Sequence, residues 1–161
     1  MNDVPIDVRP ARAEDLPEAA RLAAELVRLH HRWDALRFML VEPVEEGYLR
    51  FMRSLVGRSD VVFLVASRGS SVVGYLLGTL EERNWSDLRD ACGKIHDVLV
   101  ADEARGRGAG TRLMTEALDR FRALGAPRVV LMTAQSNDSA LRLFERMGFR
   151  RTMVEMTREL F

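Results

Sequence analysis

Between Val100 and Met114 the chain reads VADEARGRGAGTRLM, with glycines at 106, 108 and 110 between an apolar run and a helical pattern. Strand, glycine-rich turn and helix in that order make an anion site. Amides at a helix start have no intrahelical partner, and the helix dipole favours negative charge there. Glycine lets the backbone approach a bulky phosphate and adopt φ values that other residues resist. Two common phosphate loops do not fit. A P-loop needs Lys before its Ser or Thr, whereas Gly110 is followed directly by Thr111. A dinucleotide loop sets its third glycine three residues after its second, and that place is Thr111.

The elements around this loop follow from periodicity. PIDVRP alternates and predicts a first strand closed by Pro10. From Glu14, Leu16, Ala20, Ala23, Val27 and His30 share one helical face, with Glu14 and Asp15 at its positive end. Pro43 opens a second helix that ends near Gly57. VVFLVASR, a GSS turn and VVGYLLGTLEE predict a buried hairpin, and RNWSDLRDACG a loop. KIHDVLVA is the strand that leads into the glycines. After Gly110, the residues Leu113, Met114, Ala117, Leu118, Phe121 and Leu124 form the apolar stripe of a helix. RVVLMTA is a strand, NDSALRLFERM a helix capped by Asn137 or Asp138 and ended by Gly148, and FRRTMVEMTRELF a closing strand.

Composition narrows the class. At 161 residues the chain suits one domain with a real core. Its formal net charge of +0 supplies no global field for nucleic acid or an anionic membrane, so neither is expected as a partner. The single Cys92 makes no internal disulfide and has no metal-binding spacing, and no metal is expected. The first ten residues carry two acids and two prolines where a signal peptide needs an apolar stretch. The run at 61–66 is far short of the roughly 20 residues that span a bilayer. The expectation is a soluble cytoplasmic protein.

RGRGAG at 105–110 matches the pattern Arg/Gln-x-x-Gly-x-Gly/Ala, and there the chain resembles the GNAT superfamily of acetyl-CoA-dependent N-acetyltransferases. KIHDVLVADEARGRGAGTRLM is similar to that family's fourth strand, pyrophosphate loop and third helix. NDSALRLFERMGF is similar to its downstream helix, and IDVRPARAEDLPEAARL to its opening strand and helix. The resemblance implies a single-domain α/β fold over about 6–161, with a mixed, mostly antiparallel sheet of about 6–7 strands and about four flanking helices. Strands four and five would splay apart. It implies acetyl-CoA as the acyl donor. The pyrophosphate would sit on the amides of Arg105, Gly106, Arg107, Gly108, Ala109, Gly110 and Thr111, and the pantetheine arm along Val98, Leu99 and Val100. Asn137, Ala140 and Phe144 on the last helix would complete the cofactor site.

The chemistry the resemblance implies is direct attack of an amine on the thioester in a ternary complex. A lysine-like amine has a pKa near 10.4, so a base or a water chain has to remove a proton. The family's acidic position on the fourth strand is occupied by His96 and Asp97, which a period of two sends to opposite faces. Either is a base or water relay, or else a structural group. The backbone N–H of Leu99 or Val100 would polarise the thioester carbonyl, Leu99 being the choice made from sequence. Family members often carry Tyr before the Glu of the last helix, placed to protonate the leaving thiolate. This chain has Phe144, which keeps the packing and cannot donate. The acceptor would be a primary amine of a small molecule, with a peptide as second choice. His30, Trp33, Asp34, Glu81 and Trp85 are its candidate contacts, since an acid beside aromatic rings suits a cation. A homodimer is a further expectation from the resemblance. The alternative function is an acyl-CoA-binding module with little or no catalysis, supported by Phe144.

Overall fold

The computed structural model describes residues 4–160. In chain order the elements are β1 (Ile6–Pro10), α1 (Leu16–Trp33), α2 (Val44–Leu55), β2 (Val61–Arg68), β3 (Ser71–Glu81), β4 (Cys92–Val100), α3 (Ala109–Ala123), β5 (Val129–Leu131) and α4 (Asp138–Arg146). Single 3-10 turns precede α1, at Ala13–Asp15, and follow β4, at Asp102–Ala104. The five strands form one sheet in sequence order. β1 to β4 are antiparallel neighbours, and β5 joins β4 in parallel.

Alternation divides the core into two layers. On one face Leu64, Leu76, Ile95, Leu113, Phe121 and Phe144 pack with α3 and α4. On the other, Leu16, Leu22, Met52, Phe63, Val65, Tyr75, Leu77 and Leu99 pack with α1 and α2. β2 and β3 therefore carry apolar residues in both phases, which is why they read as unbroken runs. The turn from β1 into α1 is held by Asp15, which is only 5% exposed. It accepts two bonds from the Arg9 guanidinium at 2.7 and 2.8 Å and one from the Arg12 amide at 2.8 Å. Those bonds hold its carboxyl below the usual range, the Arg9 contact contributing most.

The closing strand expected over FRRTMVEMTRELF does not form. Residues 150–160 have no strand pairing and are exposed, and Phe161 lies outside the described residues. A strand needs an edge of matching length, and β5 offers only three residues. The tail is held instead by charge, through Arg37 to Glu155 at 2.8 Å and Arg151 to Glu145 at 2.9 Å. The sheet accordingly has five strands, below the six or seven expected.

Phe121 of α3 lies on the part of the sheet where side chains are missing. A Cβ on Gly93 would sit 2.5 Å from its ring, and one on Gly78 would meet the ring at 2.9 Å and the Lys94 carbonyl at 2.7 Å. These two glycines let α3 approach β3 and β4 closely, which sets the height of the loop that precedes α3. Gly93→Ala is expected to lower stability by about 1–3 kcal/mol, the usual cost of overpacking a filled core. Urea denaturation checks this, and an unchanged midpoint would show that the ring moves aside freely.

Candidate functional site

The site is built where β4 loses its partner. β5 pairs only with Gly93, Lys94 and Ile95, so the backbone from His96 to Val100 has no strand on that side. The Ala101 amide donates to the Val73 carbonyl at 2.9 Å, on the β3 side. Counting back in twos, the Leu99 N–H also faces β3, while the N–H groups of Val98 and Val100 face the open side. The Leu99 amide selected from sequence is thus engaged in the sheet ladder, and Val100 presents the free donor.

A bulge aims the side chains. Leu77 opposes Asp97 and Gly78 opposes Ile95, so His96 is an extra residue with no opposite number. The extra residue overturns the expectation that His96 and Asp97 face opposite sides. His96 reaches Thr79 at 2.8 Å and lies 3.6 Å from Glu81, on the α1/α2 face. Asp97 is opposite Leu77 on the same face, half-buried near Tyr75, Tyr48 and His30.

The two groups have different electrostatics. Thr79 gives its one hydroxyl proton to Glu81 at 2.9 Å, so it accepts from His96 Nε2–H and leaves Nδ1 as a free acceptor. Burial, with help from Lys94, pushes the His96 pKa down against the opposing pull of Glu81, so the imidazole is neutral at pH 7. Asp97 moves the other way. Burial raises its carboxyl to about 6, against smaller lowering by Tyr75 and His30. Burial likewise pushes the Tyr48 and Tyr75 hydroxyls up, with Asp97 adding to the effect.

The glycine loop lies just beyond. Gly106 and Gly108 have φ of 73° and 81°, the left-handed region that glycine alone enters at little cost. Gly108 caps α3 without a side-chain bond, and no acid stands in the first turn, so the first-turn amides stay open to an anion. Arg105 braces the loop, donating to the Val100 carbonyl at 3.1 Å and pairing with Asp102 at 2.8 Å. Gly110 fits beneath Leu143, 3.2 Å from where a Cβ would lie, and so ties α3 to α4. Between this loop and α1 runs a cleft of about 420 Å³, lined by Leu99, Ala101 and charges of both signs, among them Arg28, Arg105, Glu25 and Asp102.

The remaining predicted residues divide. Asn137 caps α4 by accepting from the Ala140 amide at 3.2 Å. Phe144 is buried against the α3/α4 core, edge-on to Phe149 at 6.0 Å. His30 packs edge-on against Trp33 and Phe38, both at 4.9 Å, and its Nδ1 bonds the Leu26 carbonyl at 2.8 Å. Asp34 caps the following turn through the amides of Leu36 and Arg37, both at 3.1 Å. Glu81 joins His96 through Thr79. Trp85 is 76% exposed under Arg83 in the β3–β4 loop, away from the cluster. Sequence reasoning missed Tyr48 and Tyr75. Tyr75 sits inside an apolar run and reads as core, and nothing local marks a hydroxyl that meets β4.

Residues 26–149 match the Acetyltransferase (GNAT) family. The chain belongs to that family. It is 34% identical over 92 residues to mycothiol acetyltransferase of Corynebacterium aurimucosum, covering 56% of this chain and 30% of that protein. The chain spans about half the length, or less, of the curated relatives it matches. Among solved structures, a tetramutant of the BH1408 protein from Bacillus halodurans superposes with a TM-score of 0.80 at 21% identity, covering 96% of this chain and 99% of that one. Aminoglycoside N-acetyltransferase AAC(6')-Iy in complex with CoA superposes with a TM-score of 0.77 at 14% identity, covering 97% and 95%. At those identities the likeness is one of GNAT fold. Among the described residues, no helix is long and apolar enough to cross a membrane.

Within this GNAT fold the Asp97 environment has a measurable consequence. Its folded pKa of about 6 stands above the ordinary 3.8, so between those values the folded chain holds more protons than the unfolded one. The Asp97 contribution to stability therefore falls as pH rises through that window. Asp97→Asn is expected to remove this loss and to be more stable than the parent above pH 6, relative to the difference at pH 4. Denaturant midpoints of both proteins across the window test it, and parallel curves would contradict it.

Proposed function

We propose that this GNAT chain is a cytoplasmic acetyl-CoA-dependent N-acetyltransferase that acetylates a primary amine of a small molecule by direct attack in a ternary complex. The observation that carries the reading is the bulge at His96. It brings a raised carboxyl and a neutral imidazole to one face, beside the unpaired end of β4 and the open amides of α3. The relatives named for mycothiol and aminoglycoside acetylation support a small amine over a protein tail.

The residues present suit coenzyme A. Open amides at Gly108 to Thr111 suit a pyrophosphate, with the Arg105 guanidinium beside them on Asp102 and the Val100 carbonyl, and the amides of Val98 and Val100 suit the carbonyls of an amide-bearing arm. Acetyl-CoA supplies the acetyl group as an activated thioester. Asp97 acts as the base that takes the ammonium proton, its raised carboxyl accepting it more readily than an ordinary carboxylate does. His96 relays that proton outward, receiving it on Nδ1. The Val100 amide stabilises the developing oxyanion. Water protonates the departing thiolate, since Phe144 has no proton to give.

Phe144 also favours a second reading, an acyl-CoA-binding module with little turnover. One experiment separates the two. Acetyl-CoA is expected to raise the melting midpoint while ATP and NAD leave it unchanged. Thiol release is then followed with a polyamine, an amino sugar, an aminoglycoside and a lysyl peptide. Turnover on one of these that falls about 10²- to 10³-fold in Asp97→Asn supports the enzyme, in line with the usual worth of a general base. Binding without turnover on any amine supports the module, and stabilisation by ATP or NAD instead of acetyl-CoA refutes both.

A further inference from the structure

Tyr75 is fully buried at the middle of β3, and its hydroxyl oxygen is a buried polar atom with no hydrogen-bond partner. A phenylalanine would fill the same space without the free-energy cost of an orphaned hydroxyl. A donor orphaned at this depth directs attention to the acceptors beside it. In the β3–β4 register Tyr75 opposes Leu99 and Leu77 opposes Asp97, so Tyr75 and Asp97 are diagonal neighbours on one face, within reach of a long side chain. The Asp97 carboxyl and the Tyr75 hydroxyl each perturb the other's ionisation.

The other groups around Asp97 have different positions or duties. Tyr48 faces it from α2 and is only half-buried. His30 approaches from α1, with Nδ1 committed to the Leu26 carbonyl. His96, its neighbour on β4, is turned to Thr79 and Glu81. Tyr75 alone combines full burial, an unspent donor and a place on the strand directly alongside. Its hydroxyl does not serve as an acid, because burial and the nearby carboxylate both keep it protonated.

We propose that Tyr75 is the positioning residue of the acceptor side: its buried hydroxyl donates to one oxygen of the ionised Asp97 carboxylate and turns the other oxygen toward the acceptor amine. This rests on the reading of Asp97 as the base. The role explains why a tyrosine occupies a position where packing alone asks only for a ring.

The test compares the parent with Tyr75→Phe, which deletes the oxygen and conserves the ring. Carboxyl carbon resonances of ¹³C-labelled aspartate are followed against pH by NMR, which needs neither acceptor nor acetyl-CoA. The Asp97 midpoint is expected to rise by about one pH unit in Tyr75→Phe, a tenfold change in proton affinity, because a hydrogen bond to the charged form is lost. The melting midpoint should hold at pH 4 and fall above pH 6, where the ionised carboxylate has lost its donor. An unmoved Asp97 midpoint overturns the proposal, and a melting midpoint lowered equally at pH 4 and above pH 6 alongside it marks Tyr75 as a packing residue only. Thiol release by Asp97→Asn separates the two levels of inference. If the Asp97 midpoint moves but Asp97→Asn keeps full turnover, the proposal falls together with the base reading. If the midpoint is unmoved while Asp97→Asn loses turnover, the base reading stands and Tyr75 has no part in it.

Discussion

The parting of β4 from β5 after Ile95 is the constraint on which the rest of the site depends. A strand in the middle of a sheet spends its amides and carbonyls on neighbours, and nothing is left for a ligand. Here β5 runs for only three residues, and the chain turns away into the segment that caps α4. The second half of β4 keeps β3 on one side and loses its partner on the other. Backbone donors at Val98 and Val100 are released next to a loop whose own amides are open. A short β5 and a long β4 are therefore one structural decision, and it creates a linear strip of polar backbone that ends at the positive end of α3.

The bulge at His96 is the second half of that decision. Without the extra residue, Ile95 and Asp97 would share a face and the carboxyl would enter the apolar layer beneath α3, beside Phe121. The bulge returns Ile95 to that layer and sends Asp97 to the α1/α2 face. There the carboxyl is still half-buried, but among hydroxyls and an imidazole. The result is a pair of adjacent groups shifted in opposite senses, Asp97 upward and His96 downward, each moved mainly by burial. The upward shift of the carboxyl and the downward shift of the imidazole narrow the gap between their proton affinities, which suits passing a proton between them. In the cleft by the glycine loop, Arg21 pairs with Glu18 of its own helix and Arg28 with Glu45 of α2.

Most of the architecture was legible because periodicity reports burial. The amphipathic stripe of α3, the hairpin of β2 and β3 and the Asn137 cap all follow from local pattern and recur in the fold. The glycine loop was legible because left-handed backbone selects for glycine, and Gly106 and Gly108 adopt it. The tail misled because alternation reports only that a segment is able to form a strand. Whether it does depends on an edge, and Met153, Val154 and Met156 remain exposed where β5 is too short to receive them. The relation of His96 to Asp97 misled for a related reason. A bulge is a property of two strands in register, and neither strand announces it alone.

The sequence by itself determined the family, the order of the elements and the place where an anion would be bound. These depend on residue types at fixed separations along one chain, where 3.6- and 2-residue periods and φ preferences act locally. Only the tertiary structure decided which side chains share the acceptor face, which amide of β4 is free, and that Tyr75 lies beside Asp97. Each of those joins residues from different strands or helices. Their proximity is set by register, burial and the close approach of α3 over Gly78 and Gly93, which no single segment carries.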